Sequence, residues 1–396
     1  TYVPNLRFPE FEGEWQEKRL SDIADLSKGI GISKDQLSAD GEPCILYGEL
    51  YTKYKSETIK EVISKTNIDN TKLVKSKAND VIIPCSGETA EEIATARCVL
   101  KDDILLGGDL NIIRLHGYDG SFMSYQLNGK RKYDIAKVAQ GVSVVHLYGE
   151  HLKNIKTINP SLNEQKKIAN LLSLLDERIS TQNKIIEDLK KLRSAISKHL
   201  FERRDLLGTK IKLSKVAELK NGYAFQSSKY NSLGEWKIIT ITNVTGERYI
   251  KENDCNCILE IPNDIQKHQK LKANDVLISL TGNVGRVSLC TEGLFLLNQR
   301  VGLLQLKVSE DREYIYQALS SHKFENSMIA CAQGAAQMNI GKGDVENYIL
   351  PYSFNRKNIN VVASVLRAYD KYIINETNLQ SILHIQKQYL LRQMFI

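Results

Sequence analysis

The chain has 396 residues, 42% hydrophobic and 26% charged, a globular mixture too long for one ordinary domain. No run of about 18 apolar residues occurs, and residues 1–11 lack a signal-peptide pattern, so we expect a soluble, cytoplasmic protein. The seven cysteines, an odd number, form no disulfide framework and fit a reducing cytosol. The net charge of +7 permits a polyanionic partner and suits an ordinary cytosolic protein equally well.

The chain contains an internal repeat with an offset of about 194 residues. Lys-Ala-Asn-Asp-Val-Ile-Ile at 77–83, for example, returns as Lys-Ala-Asn-Asp-Val-Leu-Ile at 272–278. Three further pairs of segments occur in the same order in both copies: 20–29 with 213–222, 139–141 with 332–334, and 200–201 with 394–395. Ordered matches at nearly constant spacing indicate a duplication.

Short apolar runs, separated by turn residues, fill the first part of each copy. They predict strands at 81–84, 104–106, 112–115 and 142–147 in the first copy and at 236–241, 276–280 and 294–297 in the second. Ser-Gly at 86–87 and Thr-Gly-Asn at 281–283 are typical of turns. Each copy therefore begins with a mixed, mostly β globular part.

The period changes in the second part of each copy. Residues 163–201 contain no proline or glycine, and their apolar residues recur at three- and four-residue steps, which predicts an amphipathic helix about 60 Å long. So long a helix needs a partner along its apolar stripe, and the second copy offers one. The predicted seam consists of Ile168, Leu172, Leu175, Ile179, Ile186, Leu189, Ile196, Val362, Leu366, Tyr369, Ile373, Leu383 and Leu390.

Gln182 and Glu376 interrupt the two stripes at corresponding places. Polar residues in a coiled-coil seam can fix the register of the helices at some cost in stability. The alternative to a coiled coil is a helix buried within a larger core.

Two similar globular parts and two long helices suggest that the helices act as a spacer and that each globular part, here called a reader, recognises one part of a binding site. If the helices pair antiparallel, the readers are related by an approximate twofold axis, as the halves of a DNA site are. Helix length then sets the gap between half-sites, and the site need not be palindromic. The predicted fold is α+β: two mixed, mostly β domains joined by two long helices that pair as an antiparallel coiled coil, with an internal pseudo-twofold repeat.

The segment 159–172, Asn-Pro-Ser-Leu-Asn-Glu-Gln-Lys-Lys-Ile-Ala-Asn-Leu-Leu, resembles the conserved helical region of type I restriction-modification specificity subunits. In that family a strand ends in Pro, and a helix begins near a Leu and a Glu-Gln pair. Residues 6–11 with Trp15 are similar to the start of many such bacterial subunits. The second copy keeps Pro351 but has Asn-Arg-Lys at 355–357 instead of the Glu-Gln pair, so we expect a weaker cap on its helix.

The resemblance spans the whole chain and implies four parts. These are a first target recognition domain at 1–157, a central helical region at 158–205, a second target recognition domain at 206–352 and a C-terminal helical region at 353–396. It also implies double-stranded DNA, two methyltransferase subunits and restriction-translocase subunits as partners. Those partners, and not this chain, would use S-adenosylmethionine for adenine N6-methylation and ATP with Mg for translocation and cleavage.

Catalytic motifs are missing from the sequence. The Asn-Pro at 159–160 continues with Ser161 rather than with the Pro-aromatic pair of amino-methyltransferases, and Gly341-Lys342 continues with Gly343, which excludes a P-loop. Cys255 and Cys257 form a lone pair without a second pair, so we expect no metal site. We therefore predict a chain that is no enzyme and binds no cofactor of its own.

Polar loops between the strands are the expected DNA contacts, because base edges and phosphates are read by such side chains. In the first copy the candidates are Lys28, Tyr47, Tyr51, Lys53, Ser86, Gly87, Thr89, Lys130, Gln140, Ser143 and His146. In the second copy they are Asn221, Tyr223, Phe225, Gln226, Asn243, Thr281, Asn283, Arg286, Gln299, Arg300, Gln333, Gln337 and Asn339. Lys130 is expected on phosphate, whereas Gln299 suits adenine and Arg300 guanine.

Each candidate also has a plainer interpretation, since Ser-Gly and Thr-Gly-Asn are ordinary turns and a Lys-Arg-Lys run is often just solvated. Two other functions remain open. A coiled-coil scaffold whose β domains bind peptides or proteins is one, and a fused restriction-methylation enzyme, disfavoured by the missing motifs, is the other.

Overall fold

The computed structural model describes residues 2–141, 144–333 and 338–396. The chain divides into two compact units: the first unit is Thr1–Lys184 with Asn378–Ile396, and the second unit is Ile185–Thr377. Each unit combines a globular part with a portion of both long helices. Within the described residues, no helix has the length and apolar character needed to cross a membrane.

The described residues of the first copy of the repeat form fourteen strands and seven α-helices, the last of which is the long one. The strands are β1 Gln16–Arg19, β2 Ala24–Lys28, β3 Leu37–Ser38, β4 Glu42–Ile45, β5 Thr58–Ile59, β6 Ser64–Thr66, β7 Val74–Lys75, β8 Asp80–Pro84, β9 Ser86–Gly87, β10 Arg97–Val99, β11 Leu105–Leu106, β12 Leu110–Leu115, β13 Val145–His146 and β14 Lys156–Asn159. The helices are α1 Leu20–Ile23, α2 Glu49–Thr52, α3 Ala90–Ile93, α4 Gly120–Asn128, α5 Lys132–Val138, α6 Gly149–Lys153 and α7 Leu162–Glu202.

The second copy is simpler. Its strands are β15 Thr209–Lys212, β16 Ala217–Asn221, β17 Trp236–Ile239, β18 Asn256–Ile258, β19 Val276–Ser279, β20 Val287–Leu289, β21 Phe295–Leu297, β22 Val301–Leu306 and β23 Ile349–Tyr352. Its helices are α8 Arg312–Leu319, α9 His322–Ala332, α10 Lys342–Glu346 and α11 Arg356–Gln393. Short 3-10 helices lie at Lys34–Gln36 in the first copy and, in the second copy, at Leu213–Lys215, Ser227–Lys229, Lys267–Gln269 and Ser309–Asp311. The strand and helix positions expected from the apolar runs are thus largely confirmed, with most runs longer than the strands they contain.

The globular part of the first unit is built on two five-stranded sheets, with strand orders β2-β12-β8-β10-β5 and β3-β6-β4-β11-β7. Alternate residues of β8 point to opposite faces of its sheet. Val81 and Ile83 pack with Met123 of α4, and Ile82 packs with Leu106 of the other sheet. Because β8 is covered on both faces, it appears in the sequence as an uninterrupted apolar run.

The second unit repeats this plan with fewer strands. Its sheets have the orders β16-β22-β19-β20 and β18-β17-β21. Val276 and Ile278 of β19 pack with Tyr314 of α8, and Leu277 packs with Leu297 of the smaller sheet. The central strand of each unit is therefore buried in the same alternating manner.

The repeated Lys-Ala-Asn-Asp segment forms the same turn in both units. Asn79 and Asn274 have positive φ angles of 83° and 66°. Asp80 accepts a hydrogen bond from the Lys77 amide at 2.8 Å, and Asp275 accepts the equivalent bond from Lys272 at 2.8 Å. Asparagine tolerates the left-handed region better than most residues, and the aspartate closes the turn. The duplication inferred from the sequence is thus a duplication of local structure.

Side chains of the family-like segment fix the start of α7. Glu164 accepts two hydrogen bonds from the Arg7 guanidinium, at 2.7 and 2.8 Å. Gln165 donates to the Pro160 carbonyl at 2.8 Å and accepts from the Asp119 amide at 2.9 Å. The Glu-Gln pair thereby ties the helix to the N-terminal segment, to the preceding strand and to α4.

The start of α11 is held by different residues. The Asn355 side chain accepts from the Lys357 amide at 3.0 Å, and Arg356 pairs with the buried Asp311 at 2.9 Å. Asparagine is among the best residues at a helix N-terminus. The weaker cap expected from the missing Glu-Gln pair is therefore offset by Asn355.

The two long helices pack together antiparallel, as the seam pattern predicts. In the first unit Ile168 and Leu172 of α7 share a cluster with Met394, while Leu175 and Ile179 pack with Leu383. In the second unit Arg193 of α7 reaches Asp370 of α11. The seam side chains Ile168, Leu172, Leu175, Ile179, Ile186, Val362, Leu366 and Leu383 are buried, and Leu189, Ile196, Tyr369, Ile373 and Leu390 are half-buried. Of the two polar interruptions, Gln182 is buried and Glu376 half-buried.

Candidate nucleic-acid interface

In the first unit, three strands of the central sheet end or begin at the same edge. Lys28 of β2 pairs with Asn111 of β12, and Pro84 of β8 pairs with Leu110. We call the edge at which β2 and β8 end and β12 begins the first loop edge. Lys28 is exposed there, and its amine lies 5.6 Å from the centre of the Tyr148 ring.

Two of the candidate loops meet at the first loop edge. Strand β9 pairs antiparallel with β13, and Gln140 exchanges two backbone hydrogen bonds with His146, at 2.9 and 2.7 Å. The side chains of Gln140 and His146 are exposed, whereas the Ser86 hydroxyl donates to Asp109 at 3.2 Å. Residues 86–87 therefore form one surface with Gln140 and with 145–146, which are far from them in the sequence.

Other candidates of these two loops have different environments. Gly87 is half-buried, and a Cβ at this position would lie 3.5 Å from the Cβ of Ile93. The Thr89 hydroxyl caps α3 by accepting from the Glu92 amide at 3.2 Å. Ser143 lies outside the described residues. Thr89 thus has a structural role in addition to its predicted one.

The candidates on α2 lie beside the first loop edge. The Gly107 amide donates to the Ile45 carbonyl at 3.0 Å, which brings the residues after β4 to this edge. Burial raises the pKa of Tyr51, and the nearby Tyr47, Glu92 and Glu88 raise that pKa further. Tyr51 is therefore close to the 86–89 loop and carries a protonated, hydrogen-bonding hydroxyl at neutral pH.

Lys53 and Lys130 differ from the other candidates of the first unit. The Lys53 amine contacts Glu49 at 2.6 Å and Ser64 at 2.7 Å, so it is already engaged within the unit. Lys130 is exposed and lies at the opposite end of α5 from Gln140, about 10 Å away along the helix. The structure therefore leaves Lys130 free for a phosphate but does not bring it to the loop edge.

The second unit has a corresponding second loop edge, where β16 and β19 end and β22 begins. Asn221 pairs with Gly302, and Ser279 pairs with Val301. The turn that precedes β22 carries Gln299 and Arg300, both exposed. The Gln299 amide donates to the Tyr223 carbonyl at 2.9 Å, so the turn lies against the residues after β16.

Two further candidate loops meet at the second loop edge. Thr281 and Asn339 form a β-bridge, and the Gly282 amide donates to the Met338 carbonyl at 3.0 Å. Asn283, Gln333 and Asn339 are exposed. The Thr281 hydroxyl is buried, and Gln337 lies outside the described residues.

The segment after β16 presents a mixture of exposed and engaged side chains. Gln226 is exposed, and Asn221 is exposed with its carbonyl accepting from His268 at 3.0 Å. Tyr223 donates to Asp264 at 2.9 Å, and its ring centre lies 4.9 Å from that of Phe225. The hydrogen bond to Asp264 raises the pKa of Tyr223. The aromatic pair thus forms a half-buried wall beside the edge.

Asn243 lies within the fold, whereas Arg286 is half-buried beside Ser279 at the end of β19. Asn243 is buried, accepts from the Thr240 amide at 2.9 Å and donates to the Lys251 carbonyl at 2.8 Å, as a turn-forming asparagine does. Arg286 faces Glu325 at 3.6 Å and lines a cavity of about 290 Å³ at the start of α9. Burial and internal bonding favour a structural role for Asn243, whereas Arg286 is partly exposed and pairs with Glu325 within the unit.

The two loop edges share a backbone frame and differ in side chains. Strand β11, Leu105–Leu106, pairs in parallel with β4, and strand β21, Phe295–Leu297, pairs in parallel with β17. After these strands the first unit has Gly-Gly-Asp at 107–109, and the second has Asn-Gln-Arg at 298–300. The chain thus presents two similar frames with different hydrogen-bonding groups.

A family model described as a type I restriction modification DNA specificity domain matches the chain twice, at residues 12–191 and 209–384. Each match covers one globular part and most of one long helix. The chain belongs to this specificity-domain family. The two copies found in the sequence are therefore two specificity domains in tandem.

Two curated relatives from Methanocaldococcus jannaschii agree with this membership. The chain is 26% identical over 374 residues to the type I restriction enzyme MjaVIII specificity subunit, covering 87% of this chain and 83% of the relative. It is 24% identical over 384 residues to the putative type I restriction enzyme MjaX specificity subunit, covering 86% and 84%. The similarity thus extends over most of this chain and most of both relatives.

Solved structures share the fold. The crystal structure of the type I system S subunit from M. genitalium matches with a TM-score of 0.65 and 18% identity, over 100% of this chain and 99% of that one. A chain from a study of complex assembly and conformational transition in the type I R-M system matches with a TM-score of 0.55 and 14% identity, over 95% and 96%. The specificity-domain fold is therefore common to chains of very different sequence.

Sequence reasoning missed two residues at the loop edges of this specificity subunit fold. Tyr148 is exposed beside Lys28 and His146, and His268 is half-buried beside Asn221. Tyr148 follows an apolar run that suggested only a strand, and His268 lies in a loop that the repeat does not align. Among the described residues, no group of three or more His, Cys, Asp or Glu side chains is arranged to hold a metal ion.

Proposed function

We propose that the chain is the sequence-reading subunit of a type I restriction-modification complex and that each loop edge reads one half of a split site in double-stranded DNA. The chain itself makes and breaks no bond. Methyltransferase partners would supply adenine N6-methylation with S-adenosylmethionine, and restriction-translocase partners would supply ATP- and Mg-dependent cleavage. The observation that carries the proposal is the same loop edge built twice from different side chains.

The exposed groups at the edges suit base and phosphate contacts. Gln140 and His146 at the first edge, and Gln299 and Arg300 at the second, project polar groups from short turns on a rigid sheet. Glutamine pairs well with adenine, and arginine with guanine. Two edges with different groups select two different half-sites, so a single chain recognises an asymmetric sequence.

A second surface supports docking of partner subunits on the helix pair. Successive helical residues are about 100° apart, so residues just before and just after a seam position lie on opposite flanks of the helix. The flank after the seam is buried against the globular parts, at Ala169 and Asp176 in the first unit and at Ala363 and Asp370 in the second. The flank before the seam is the exposed one.

Large apolar side chains are concentrated on the exposed flank. In the first unit it carries Leu174, Ile382 and Tyr389, each one residue before a seam position and more than half exposed. In the second unit it carries Ile185, Leu192, Val361, Val365 and Tyr372. Apolar surface arranged along a helix pair is typical of a site for further helices. We infer that one methyltransferase subunit docks on this flank in each unit.

The proposal is tested by selecting duplexes from a random pool with the chain assembled with its methyltransferase subunits. We expect a bound sequence with two separate specified parts. Exchanging residues 281–286 for the 86–89 loop should alter one part and leave the other. A scaffold that binds peptides or proteins would select no DNA sequence, and this result would refute the proposal.

A further inference from the structure

Each unit contains a buried cluster of charged groups at the place where the globular part meets both long helices. The centres of the two clusters are Asp176 on α7 and Asp370 on α11, which occupy equivalent positions in the repeat. Each aspartate faces a basic residue on the other long helix: Lys387 faces Asp176 and Arg193 faces Asp370. These two basic residues are also equivalent in the repeat.

In the first charge cluster, one amine joins the helices to the globular part. Lys387 contacts Asp176 at 2.6 Å and Glu57, which precedes β5, at 2.6 Å. Asp176 also accepts from Tyr125 of α4 at 2.7 Å and from Ser56 at 3.1 Å. Burial would lower the pKa of Lys387, but the two carboxylates outweigh it and raise that pKa, so the amine stays charged.

In the second charge cluster, two guanidinium groups join the helices to the globular part. Arg193 donates to Asp370 at 3.0 Å and to Gln317 of α8 at 2.7 Å. Arg248 of the globular part donates to Asp370 at 2.9 Å and to Glu313 at 2.8 and 2.6 Å. Gln317 also donates to Asp370 at 2.6 Å, as Tyr125 does to Asp176 in the first unit.

Each globular part contributes one acidic and one basic residue to its cluster, and the residue that contacts the helix pair is acidic in the first unit and basic in the second. The Cys98 amide donates to the Glu57 carbonyl at 2.8 Å, and the Leu289 amide donates to the Arg248 carbonyl at 2.7 Å, so Glu57 and Arg248 are structural equivalents. In the first unit buried Arg97 accompanies Glu57, and in the second Glu313 accompanies Arg248. Each globular part therefore brings one acid and one base to a helix pair that also offers one of each.

We propose that the two charge clusters are positioning devices that fix the orientation of each DNA-reading part on the helix pair. A buried ion pair adds little stability compared with apolar packing, but it permits few geometries because every charged group must keep its partner. If a globular part could change its orientation on the helix pair, its loops would approach DNA in several orientations. Lys387 and Asp176 thus govern discrimination at the half-site read by the first unit, and Arg193 and Asp370 at the other.

The test uses balanced double variants in the complete complex with its methyltransferase subunits. Lys387→Met with Asp176→Asn removes one positive and one negative charge and leaves Glu57 with Arg97. Arg193→Met with Asp370→Asn does the same in the second unit and leaves Arg248 with Glu313. Lys371→Met and Lys198→Met, at exposed positions of the same helices, are the controls.

The measured quantity is the affinity ratio between the selected duplex and duplexes altered in one half-site. We expect the first double variant to lower this ratio about tenfold for the half-site of the first unit only, and the second double variant to do so for the other half-site only. Both should unfold within a few degrees of the parent. Unchanged ratios, equal losses at both half-sites, or a variant that does not fold would each overturn the inference.

The inference rests on the proposed function, and the two fail differently. If the unaltered complex shows no split sequence preference, the proposed function fails. If the unaltered complex discriminates at both half-sites and the double variants do so equally well, only the positioning role fails.

Discussion

Glu57 is buried and Glu313 is half-buried in the charge clusters, and their surroundings shift their pKa values in opposite directions. Burial, with the nearby Asp176, raises the pKa of Glu57 despite Lys387. For Glu313, burial alone would raise the pKa, but hydrogen bonds from Arg248 and Gln317 outweigh it and lower the pKa. The two acids should therefore contribute differently to stability.

Stability measurements on two glutamine variants test this difference. A lowered pKa means that Glu313 stabilises the fold above the ordinary glutamate value of about 4.3 and loses this effect as the pH falls through its folded pKa. A raised pKa means that Glu57 favours the fold more as the pH falls through that pKa. At pH 7 we expect Glu313→Gln to cost about 2–4 kcal/mol and Glu57→Gln to cost much less, by thermal or urea unfolding. Equal losses would contradict the assignment.

Arg300 allows a direct test of base reading. It is exposed in the turn before β22, where a guanidinium can reach a base edge. Arg300→Ala should relax the choice of base at one position of one half-site by about 1–3 kcal/mol. Lys130→Ala should instead weaken binding to all sequences alike and reduce its salt dependence. Competition binding with single-base variants of the selected duplex, at two salt concentrations, distinguishes the two effects, and relaxation in both half-sites would count against independent readers.

At the scale of elements, the long helices were the most predictable. The interval 163–201 anticipates α7, because an uninterrupted 3.6-residue period without proline or glycine depends only on local sequence. Residues 142–143 of the apolar run at 142–147 lie outside the described residues, and the remainder contains a strand of two residues, Val145–His146. Isolated short runs predict strands poorly, since the partner strand decides which residues pair.

The basic residues that the long helices contribute to the charge clusters lie in the helical seam, but the predicted apolar pattern does not include them. The predicted stripe skips from 189 to 196 and from 383 to 390, and a basic residue stands midway in each gap, at Arg193 and Lys387. Their recurrence at the repeat offset was a usable signal. Their partners Glu57 and Arg248 occupy equivalent places in the fold but differ in charge and lie in loops without matching sequence, so the sequence alone does not identify them.

The exposed flank of the helix pair offers a prediction about assembly. Ile382→Glu with Tyr389→Glu should reduce binding of the methyltransferase subunit to the first unit, because charged side chains replace apolar contact surface. Ile385→Glu is the matched control, since Ile385 is exposed but two residues past a seam position. Mass measurement of the assembled complex should show one methyltransferase subunit instead of two. Two bound subunits in the double variant, or the same loss in the control, would contradict this docking site.

At the scale of the whole molecule, the repeat could be predicted because ordered matches at one offset can be found in the sequence without knowing the fold. The loop edges were only partly predictable. The sequence identifies the candidate loops as polar and repeated, but their convergence depends on sheet order and register, which join strands far apart in the chain. Asn243 and Lys53 illustrate the limit, because their internal partners lie in segments that no local pattern connects to them.

The proposal of a helical spacer makes a prediction for the complete chain. Inserting one heptad in α7 and one at the matching level of α11 lengthens the pair by about 10.5 Å, the rise of about three base pairs. The gap between the half-sites of the selected sequence should grow by about that amount, with both half-sites unchanged. An unaltered gap would show that the helices do not set it.

The central claim is that one chain carries two different readers, and the sites methylated in cells test it most directly. Adenine N6-methylation should be mapped at base resolution in cells that make this chain with its methyltransferase subunits. The account predicts methylated sites with two dissimilar specified parts separated by one fixed gap, and a new second part when residues 209–352 are exchanged for those of another specificity subunit. A single continuous or palindromic site, or methylation that does not depend on this chain, would contradict it.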